Sequence, residues 1–248
     1  MRRLGQHFLA DPRILGRIAD AVEIEPGETV LEIGPGKGSL TAALLERGAK
    51  VIAIEKDRRL AAELEREGLS VIQGDALKTE WPRVAKVVGN IPYYITSPLI
   101  EKALTPPLPE RVVFLVQAEV AERLAARPGG KTYGALSVGV QAVCRVEQLF
   151  TVAAGAFSPP PKVRSAVVRL TPLAAPLITR DEAPRFRAFV TACFSKRRKQ
   201  LKNAVPGLTG AEIAELGIDP AIRPERLAPE TFVRLMRRAL TYQENLIR

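Results

Sequence analysis

The chain has 248 residues, enough for one large domain or for a medium domain with a small one. Its apolar fraction of 46% excludes a chain that is disordered throughout, and no apolar run reaches the roughly 18 residues of a membrane span. Thirty-seven Lys and Arg against 27 Asp and Glu leave a net charge of +10, which favours a polyanionic partner, most simply nucleic acid. Cys144 and Cys193 fit neither a metal spacing nor a disulfide framework, and the first residues contain no signal-peptide core. A cytoplasmic protein with no membrane partner and no metal is expected.

In chain order, Asp11-Pro12 opens a helix whose apolar positions are Ile14, Leu15, Ile18, Ala19 and Val22, with Asp11 as N-cap and Pro12 at the first turn. His7, just before it, is the only histidine. With no second His or Cys nearby, a surface or packing residue is its plainest reading. Thr29 to Ile33 reads as a short strand, Gly34-Pro35-Gly36-Lys37-Gly38 as a glycine turn, and Ser39 to Leu45 as a helix. Strand, glycine turn and helix begin a nucleotide-binding βαβ unit. The spacing is Gly-x-Gly-x-Gly and not the dinucleotide Gly-x-Gly-x-x-Gly, which argues against a nicotinamide-dependent oxidoreductase.

Three more strands end in side chains that can accept hydrogen bonds. Lys50 to Glu55 ends in an acid at the distance where a carboxylate takes ribose hydroxyls. A helix from Arg58 to Glu67 leads to Leu69 to Gln73 and then Gly74-Asp75-Ala76, where Asp75 can accept from an adenine amino group. Val84 to Gly89 reads as a strand stopping at a glycine, followed by Asn90-Ile91-Pro92-Tyr93. That stretch offers an amide, a backbone carbonyl freed by proline and an aromatic ring. The plain alternatives are a turn for the tetrapeptide and solvated acids for the strand ends. The recurrence over four successive strand ends favours a ligand, because ligands in open α/β sheets lie outside the carboxyl ends of the strands.

Beyond this lie a helix around Leu99, Ile100 and Leu104, a strand from Arg111 to Gln117, a helix from Glu119 to Ala126, a helical element from Leu136, and a strand from Val143 to Leu149. Gly155 to Val163 is a proline-stiffened loop holding Phe157, and Val163 to Leu170 is the last strand. Thr171 to Pro176 marks a boundary. The remainder is helical and basic, with Lys196, Arg197, Arg198, Lys199 and Lys202 clustered within about two turns. A solvated helix face is the ordinary reading of such a run; the overall charge excess favours RNA phosphates.

Six ordered motifs together resemble the ribosomal RNA adenine N6,N6-dimethyltransferase family, which modifies paired adenines near the end of small-subunit ribosomal RNA. They are Gly5-Gln6-His7-Phe8-Leu9 with Asp11, Glu32 to Gly38, Glu55, Gly74-Asp75-Ala76, Asn90 to Tyr93, and Phe157 with Ser158 to Val163; Phe194 with Arg197-Arg198-Lys199 adds a seventh match. The resemblance implies an α/β fold. It would be a Rossmann-like class I methyltransferase sheet, mostly parallel with an antiparallel last strand, over residues 1–172. A small all-helical C-terminal domain over 177–248 would recognise RNA. S-adenosylmethionine is the implied cofactor. Gln6, His7 and Leu9 would line its methionine side, Gly34 and Gly36 would pass beneath it, Glu55 would hold its ribose and Asp75 its adenine, with Asn90 beside it. That moves His7 from a packing residue to a cofactor neighbour.

The implied chemistry agrees with the residue types. The side-chain oxygen of Asn90 and the carbonyl of Pro92 would accept from the N6 hydrogens of the target adenine, while Tyr93 and Phe157 sandwich the flipped base. Aromatic stacking of this kind is worth about 1–3 kcal/mol per base. The basic segment would grip phosphates of the small ribosomal subunit, and the protein is expected to act as a monomer. Relatives often carry a longer basic leader than the few residues before Gly5. Two other readings stay open: a related enzyme modifying one large-subunit adenine in antibiotic resistance, and a non-catalytic RNA-binding assembly factor on the same scaffold.

Overall fold

The computed structural model describes residues 7–64, 67–105, 107–195 and 199–246, the last six through their backbone alone. It divides into two compact units, 1–121 with 146–172, and 122–145 with 173–248.

The first unit is built on a seven-stranded sheet. In chain order its elements are β1 (Phe8–Leu9), α1 (Pro12–Val22), β2 (Thr29–Ile33), α2 (Ser39–Leu45), β3 (Lys50–Glu55), α3 (Arg58–Glu63), β4 (Leu69–Gln73), β5 (Lys86–Asn90), α4 (Thr96–Ala103) and β6 (Arg111–Gln117). After α5 (Ala118–Leu124) and α6 (Ala135–Gln141) come β7 (Cys144–Val152), β8 (Phe157–Ser158) and β9 (Ser165–Pro172). The sheet order is β4-β3-β2-β5-β6-β9-β7. Strands β2 to β6 pair in parallel, whereas β9 runs antiparallel to β6, with Gln117 opposite Ser165. Strands β2, β5 and β6 are apolar and buried along almost their whole length, as a parallel sheet covered on both faces requires.

Chain order explains where a ligand can enter. From β2 the chain moves outward through β3 and β4, then crosses back to β5 on the other side of β2. The connections leaving β2 and β5 thus run in opposite directions, towards β3 and towards β6, and open a crevice at the carboxyl ends of these two strands. There Ile33 lies opposite Gly89. A Cβ on Gly89 would sit 2.6 Å from the Ile33 carbonyl oxygen, so only glycine allows the strands this approach. Gly89 is therefore inside β5 and not its stop: the strand runs on through Asn90, one residue beyond the expected end.

The entry to α1 follows its sequence signals, with the Asp11 carboxylate accepting from Arg13 N–H at 2.9 Å. Its apolar stripe of Leu15, Ile18, Ala19 and Val22 packs into one core with Val30, Leu44, Val51, Val88 and Val113. The two-residue strands β1 and β8 form a second, separate ladder, pairing Phe8 with Ser158 and Leu9 with Phe157. Two-residue pairings carry no periodicity, and neither was expected from sequence.

The second unit contains α6, α7 (Ala183–Ser195), α8 (Leu201–Ala204), α9 (Gly210–Glu215) and α10 (Pro229–Leu246). It divides the chain differently from the expected domains, because 122–145 joins the C-terminal helices. The physical reason is visible at Tyr133, which is fully buried and donates its hydroxyl to the Leu227 carbonyl at 2.8 Å. Its ring meets Phe194 edge-on, and Phe194 stacks on Phe232. Helix α9 carries a capping box between Thr209 and Glu212.

Candidate active site

The crevice at the carboxyl ends of β2 to β5 is a cleft of about 800 Å³, open solvent at its mouth included. Of the expected site residues, His7, Gly34, Glu55, Asp75, Asn90, Pro92 and Tyr93 line it. Sequence reasoning missed several others on its wall: Phe8, Lys56 and Tyr94, and the apolar floor of Ile33, Ile54 and Ile91. Ile33 and Ile54 read only as strand residues and Ile91 only as a member of the Asn90–Tyr93 stretch, and nothing in their spacing marks them as a floor.

The glycine turn after β2 depends on backbone that other residues resist. Gly34 and Gly36 have φ of +67° and +59°. A Cβ on Gly34 would meet nothing within 4 Å, so its wall position leaves ligand space open. A Cβ on Gly36 would lie 2.9 Å from the Phe8 ring. Gly36 itself is not on the wall. Its N–H donates to the Glu55 carboxylate at 3.0 Å, and Asp57 N–H donates to the other oxygen at 2.8 Å. Glu55, buried to 3% exposure, thus braces the glycine turn while still facing the cleft. Carboxylate oxygens each keep a further lone pair, so ribose hydroxyls can still be accepted there.

Asp75 is held on both oxygens. Leu77 N–H donates to one at 3.0 Å, and Lys56 Nζ to the other at 2.8 Å. The Lys56 ammonium, assisted by the Leu77 N–H, keeps the Asp75 carboxyl below its ordinary range. An ionised acceptor therefore stands at the end of the cleft.

At the end of β5, Asn90 donates Nδ2–H to the His7 carbonyl at 2.9 Å. A carbonyl only accepts, so this bond decides which way the amide faces. The side-chain oxygen is left with no hydrogen-bond partner among the described residues. The expectation for Pro92 needs correction. Its carbonyl is not free: it accepts from Ile95 N–H at 3.1 Å in a 3₁₀ turn and lies 3.4 Å from the Thr96 hydroxyl. The turn uses one lone pair, and the Thr96 hydroxyl approaches the other while also reaching the Tyr93 carbonyl at 3.2 Å.

Tyr93 is fixed at both ends. Its hydroxyl is 2.7 Å from Ser165 Oγ, and its ring stacks on His7 with centroids 5.9 Å apart and planes at 29°. His7 Nδ1 lies 2.8 Å from the Pro159 carbonyl, so Nδ1 carries the proton in the neutral ring. One residue thereby touches Asn90, Tyr93 and the proline loop.

Besides Gly36, two more expected residues are off the wall. Leu9 and Phe157 are paired across the β1–β8 ladder and buried in the core at 5% and 4% exposure, off the cleft wall. Ladder pairing turns both side chains inward, so Phe157 does not form the second face of a sandwich with Tyr93 here. The exposed aromatic at the cleft is Tyr94, at 62%. In the second unit, Lys199 and Lys202 are exposed. Gln6, Lys196, Arg197 and Arg198 lie outside the described residues. Among the described residues no group of three His, Cys, Asp or Glu could hold a metal ion, and no helix is long and apolar enough to cross a membrane.

The donor and acceptor set fits S-adenosylmethionine. Its ribose hydroxyls and adenine amino group are donors that the carboxylates of Glu55 and Asp75 would accept, Ile54, Ile91 and Ala76 would line its base, and the open space over Gly34 would admit a close approach.

Comparison with known proteins agrees. A family model described as ribosomal RNA adenine dimethylase matches residues 1–243. Ribosomal RNA small subunit methyltransferase A of Pseudomonas aeruginosa is 45% identical over 247 residues, covering 94% of this chain and 92% of that one. The protein of the same name from Gloeobacter violaceus is 44% identical, covering 96% and 93%. Among solved structures, a dimethyladenosine transferase from Plasmodium falciparum superposes with a TM-score of 0.83 at 31% identity, covering 96% of this chain and 98% of its own. The 23S rRNA methyltransferase ErmE superposes at 0.73 with 30% identity, covering 94% and 99%. With a switch-point cleft built from the expected strand ends and a family match over nearly its whole length, the chain belongs to the ribosomal RNA adenine dimethylase family.

Proposed function

We propose that this protein transfers methyl groups from S-adenosylmethionine to N6 of two adjacent adenosines near the 3′ end of small-subunit ribosomal RNA. The observation that carries the site assignment is the Asn90 amide, oriented by the His7 carbonyl so that its oxygen is the acceptor left over at the cleft. When bound, the cofactor supplies an electrophilic methyl group on a sulfonium.

The chain's own residues act on the nucleophile. The N6 lone pair of adenine is delocalised into its ring, and the amine is a poor nucleophile for that reason. Asn90 Oδ1 accepts one N6 hydrogen, and the Pro92 carbonyl accepts the other once the Thr96 hydroxyl donates to the nearer Tyr93 carbonyl. Both contacts favour a pyramidal nitrogen with its lone pair directed out of the ring plane. Tyr93, held by Ser165 and His7, offers a flat wall for the base once it has left its stack. No strong general base is needed, because the nitrogen sheds its proton after gaining the methyl. The contribution is positioning and electrostatics. One N–H remains after the first transfer, which permits a second.

Glu55 and Asp75 would hold ribose and adenine of the cofactor, with His7 and Gly34 beside it. Lys199 and Lys202, with the basic residues before them, would bind RNA phosphates. The partner is read as the small ribosomal subunit, because relatives 44–45% identical carry that name, and the protein as a cytoplasmic monomer acting where that RNA is assembled.

The test is transfer of labelled methyl from S-adenosylmethionine to small ribosomal particles lacking the modification, followed by nucleoside analysis. N6,N6-dimethyladenosine, lost in Asn90→Ala, is the expected result. Transfer only to large-subunit RNA would move the assignment to the resistance-type enzyme. RNA binding with no transfer to either would leave an assembly factor.

A further inference from the structure

The cleft wall bearing Asp75 and the wall bearing Asn90 to Tyr94 come from different strand ends, and one side chain outside the cleft joins them. Lys102, in the last turn of α4, directs Nζ to the carbonyls of Leu77 and Thr79 at 3.1 and 2.6 Å. Its ammonium lies 5.5 Å from the centroid of the Trp81 ring. A lysine normally keeps its charge in water. This one is half-buried, and burial lowers its pKa.

What Lys102 grips is a single tight turn that presents Asp75 and Ala76 to the cleft. Lys78 and Thr79 N–H groups both donate to the Asp75 carbonyl at 2.8 Å, and Leu77 N–H donates to its side chain. Trp81 Nε1–H donates to the Ala76 carbonyl at 2.8 Å. The turn folds back so closely that a Cβ on Gly74 would lie 2.4 Å from Thr79 Oγ1. The Leu77 and Thr79 carbonyls end the turn with no following helix to satisfy them, and a cation is well suited to cap such groups. At its other end, α4 starts at Thr96, whose hydroxyl reaches the Tyr93 carbonyl at 3.2 Å. One rigid helix thus carries the Asn90–Tyr93 stretch at its start and the cap on the Asp75 turn about 9 Å further on.

We propose that Lys102 is a positioning residue for cofactor binding. Through α4 it sets the Asp75–Ala76 turn at a fixed distance from the Asn90–Tyr93 wall, so that both ends of a nucleoside ligand are met at once. Lys102 is not on the cleft wall, and so it acts through the turn. The assignment rests on reading the cleft as the S-adenosylmethionine site.

Trp81 is the only tryptophan of the chain and sits on this turn, so its emission reports the turn directly. The experiment compares the full-length protein with Lys102→Met, which removes the donors, and Lys102→Arg, which keeps them. S-adenosylmethionine affinity is measured by calorimetry and by Trp81 emission, and RNA affinity is measured without cofactor. Lys102→Met is expected to weaken cofactor binding about tenfold or more, the scale of losing hydrogen bonds from a charged donor. Its Trp81 emission should shift in the free protein, its RNA affinity should hold, and Lys102→Arg should recover most of the cofactor affinity. Cofactor affinity indistinguishable from wild type in Lys102→Met would overturn the assignment. If that variant does not fold, Trp81→Phe carries the test: losing the Ala76 bond alone should weaken cofactor binding at unchanged melting temperature, and unchanged affinity would overturn the proposal. A wild-type protein that does not bind S-adenosylmethionine overturns the reading of the cleft, and this assignment with it.

Discussion

Asn90→Asp separates the two duties given to Asn90. The substitution keeps size and shape and keeps an acceptor for the N6 hydrogen. It replaces the Nδ2–H that reaches the His7 carbonyl at 2.9 Å by a second acceptor, so oxygen faces oxygen. Leaving a partly buried carbonyl unsatisfied costs about 1–3 kcal/mol. At about 1.4 kcal/mol per tenfold, that is roughly a 5- to 150-fold fall in kcat/KM if the whole penalty reaches the transition state. Asn90→Ala loses the acceptor as well, and removing a positioned electrostatic group of this kind typically lowers kcat by about 10²–10³. The expected order is therefore wild type, then Asp, then Ala. A carboxylate against a carbonyl has a raised pKa, and in its protonated form it regains a donor for His7. The Asp variant should then recover relative to wild type as pH falls towards about 5. Single-turnover methyl transfer at saturating cofactor, measured across pH with cofactor affinity in parallel, tests this. Equal rates for Asp and wild type at every pH would refute the orienting role of His7. Equal rates for Asp and Ala would refute the acceptor role of the side-chain oxygen.

Gly36→Ala places a Cβ 2.9 Å from the Phe8 ring at φ +59°. The left-handed conformation costs about 1–2 kcal/mol, so the melting temperature of this unit should fall by about 2–8 °C, with weaker cofactor binding because Phe8 is on the wall; an unchanged melting temperature would contradict this. In the second unit, the Arg237 guanidinium bonds both oxygens of Glu182 at 2.7 and 2.9 Å and holds its carboxyl at about 2, against an ordinary 4.5. The folded-state value lies below the unfolded one, so the pair adds stability above 4.5 and loses it as pH falls towards 2. The melting-temperature gap between wild type and Glu182→Gln should accordingly be widest at neutral pH and close over that window; a pH-independent gap would count against it. Replacing Lys199 and Lys202 together by Ala should flatten the salt dependence of RNA binding, by about 0.7–0.9 in log–log slope for each phosphate no longer neutralised, without changing turnover at saturating RNA. An unchanged slope would show that these two lysines do not bind RNA phosphates.

Most of the fold was legible along the chain because its strands and helices are local patterns. The short strand from Thr29 to Ile33, the glycine turn, and Asp11-Pro12 at a helix entry each depend only on neighbours in sequence, and each formed as read. The acids and the amide at successive strand ends were legible for the same reason. A strand end in a parallel sheet faces one edge, so Glu55, Asp75 and Asn90 had to share that edge once the strands were assigned.

What needed the tertiary structure was every partner brought from far along the chain. The donation from Asn90 to the His7 carbonyl spans 83 residues, and the His7 contact with Pro159 spans 152. Both depend on the short β1–β8 ladder, which no local pattern marks. The same ladder turned Phe157 and Leu9 into the core, while Tyr94 came to stand exposed at the cleft. The division into units moved for a related reason: residues 122–145 lie between sheet strands in sequence but bury Tyr133 against Leu227, and burial answers to neighbours in space. One miss was local: the carbonyl of Pro92 read as freed by proline, but Ile95, only three residues on, closes back on it in a 3₁₀ turn. Sequence by itself determined which chemical groups stand at the strand ends; tertiary structure decided how they are oriented, because a hydrogen bond fixes direction only when both partners are in place.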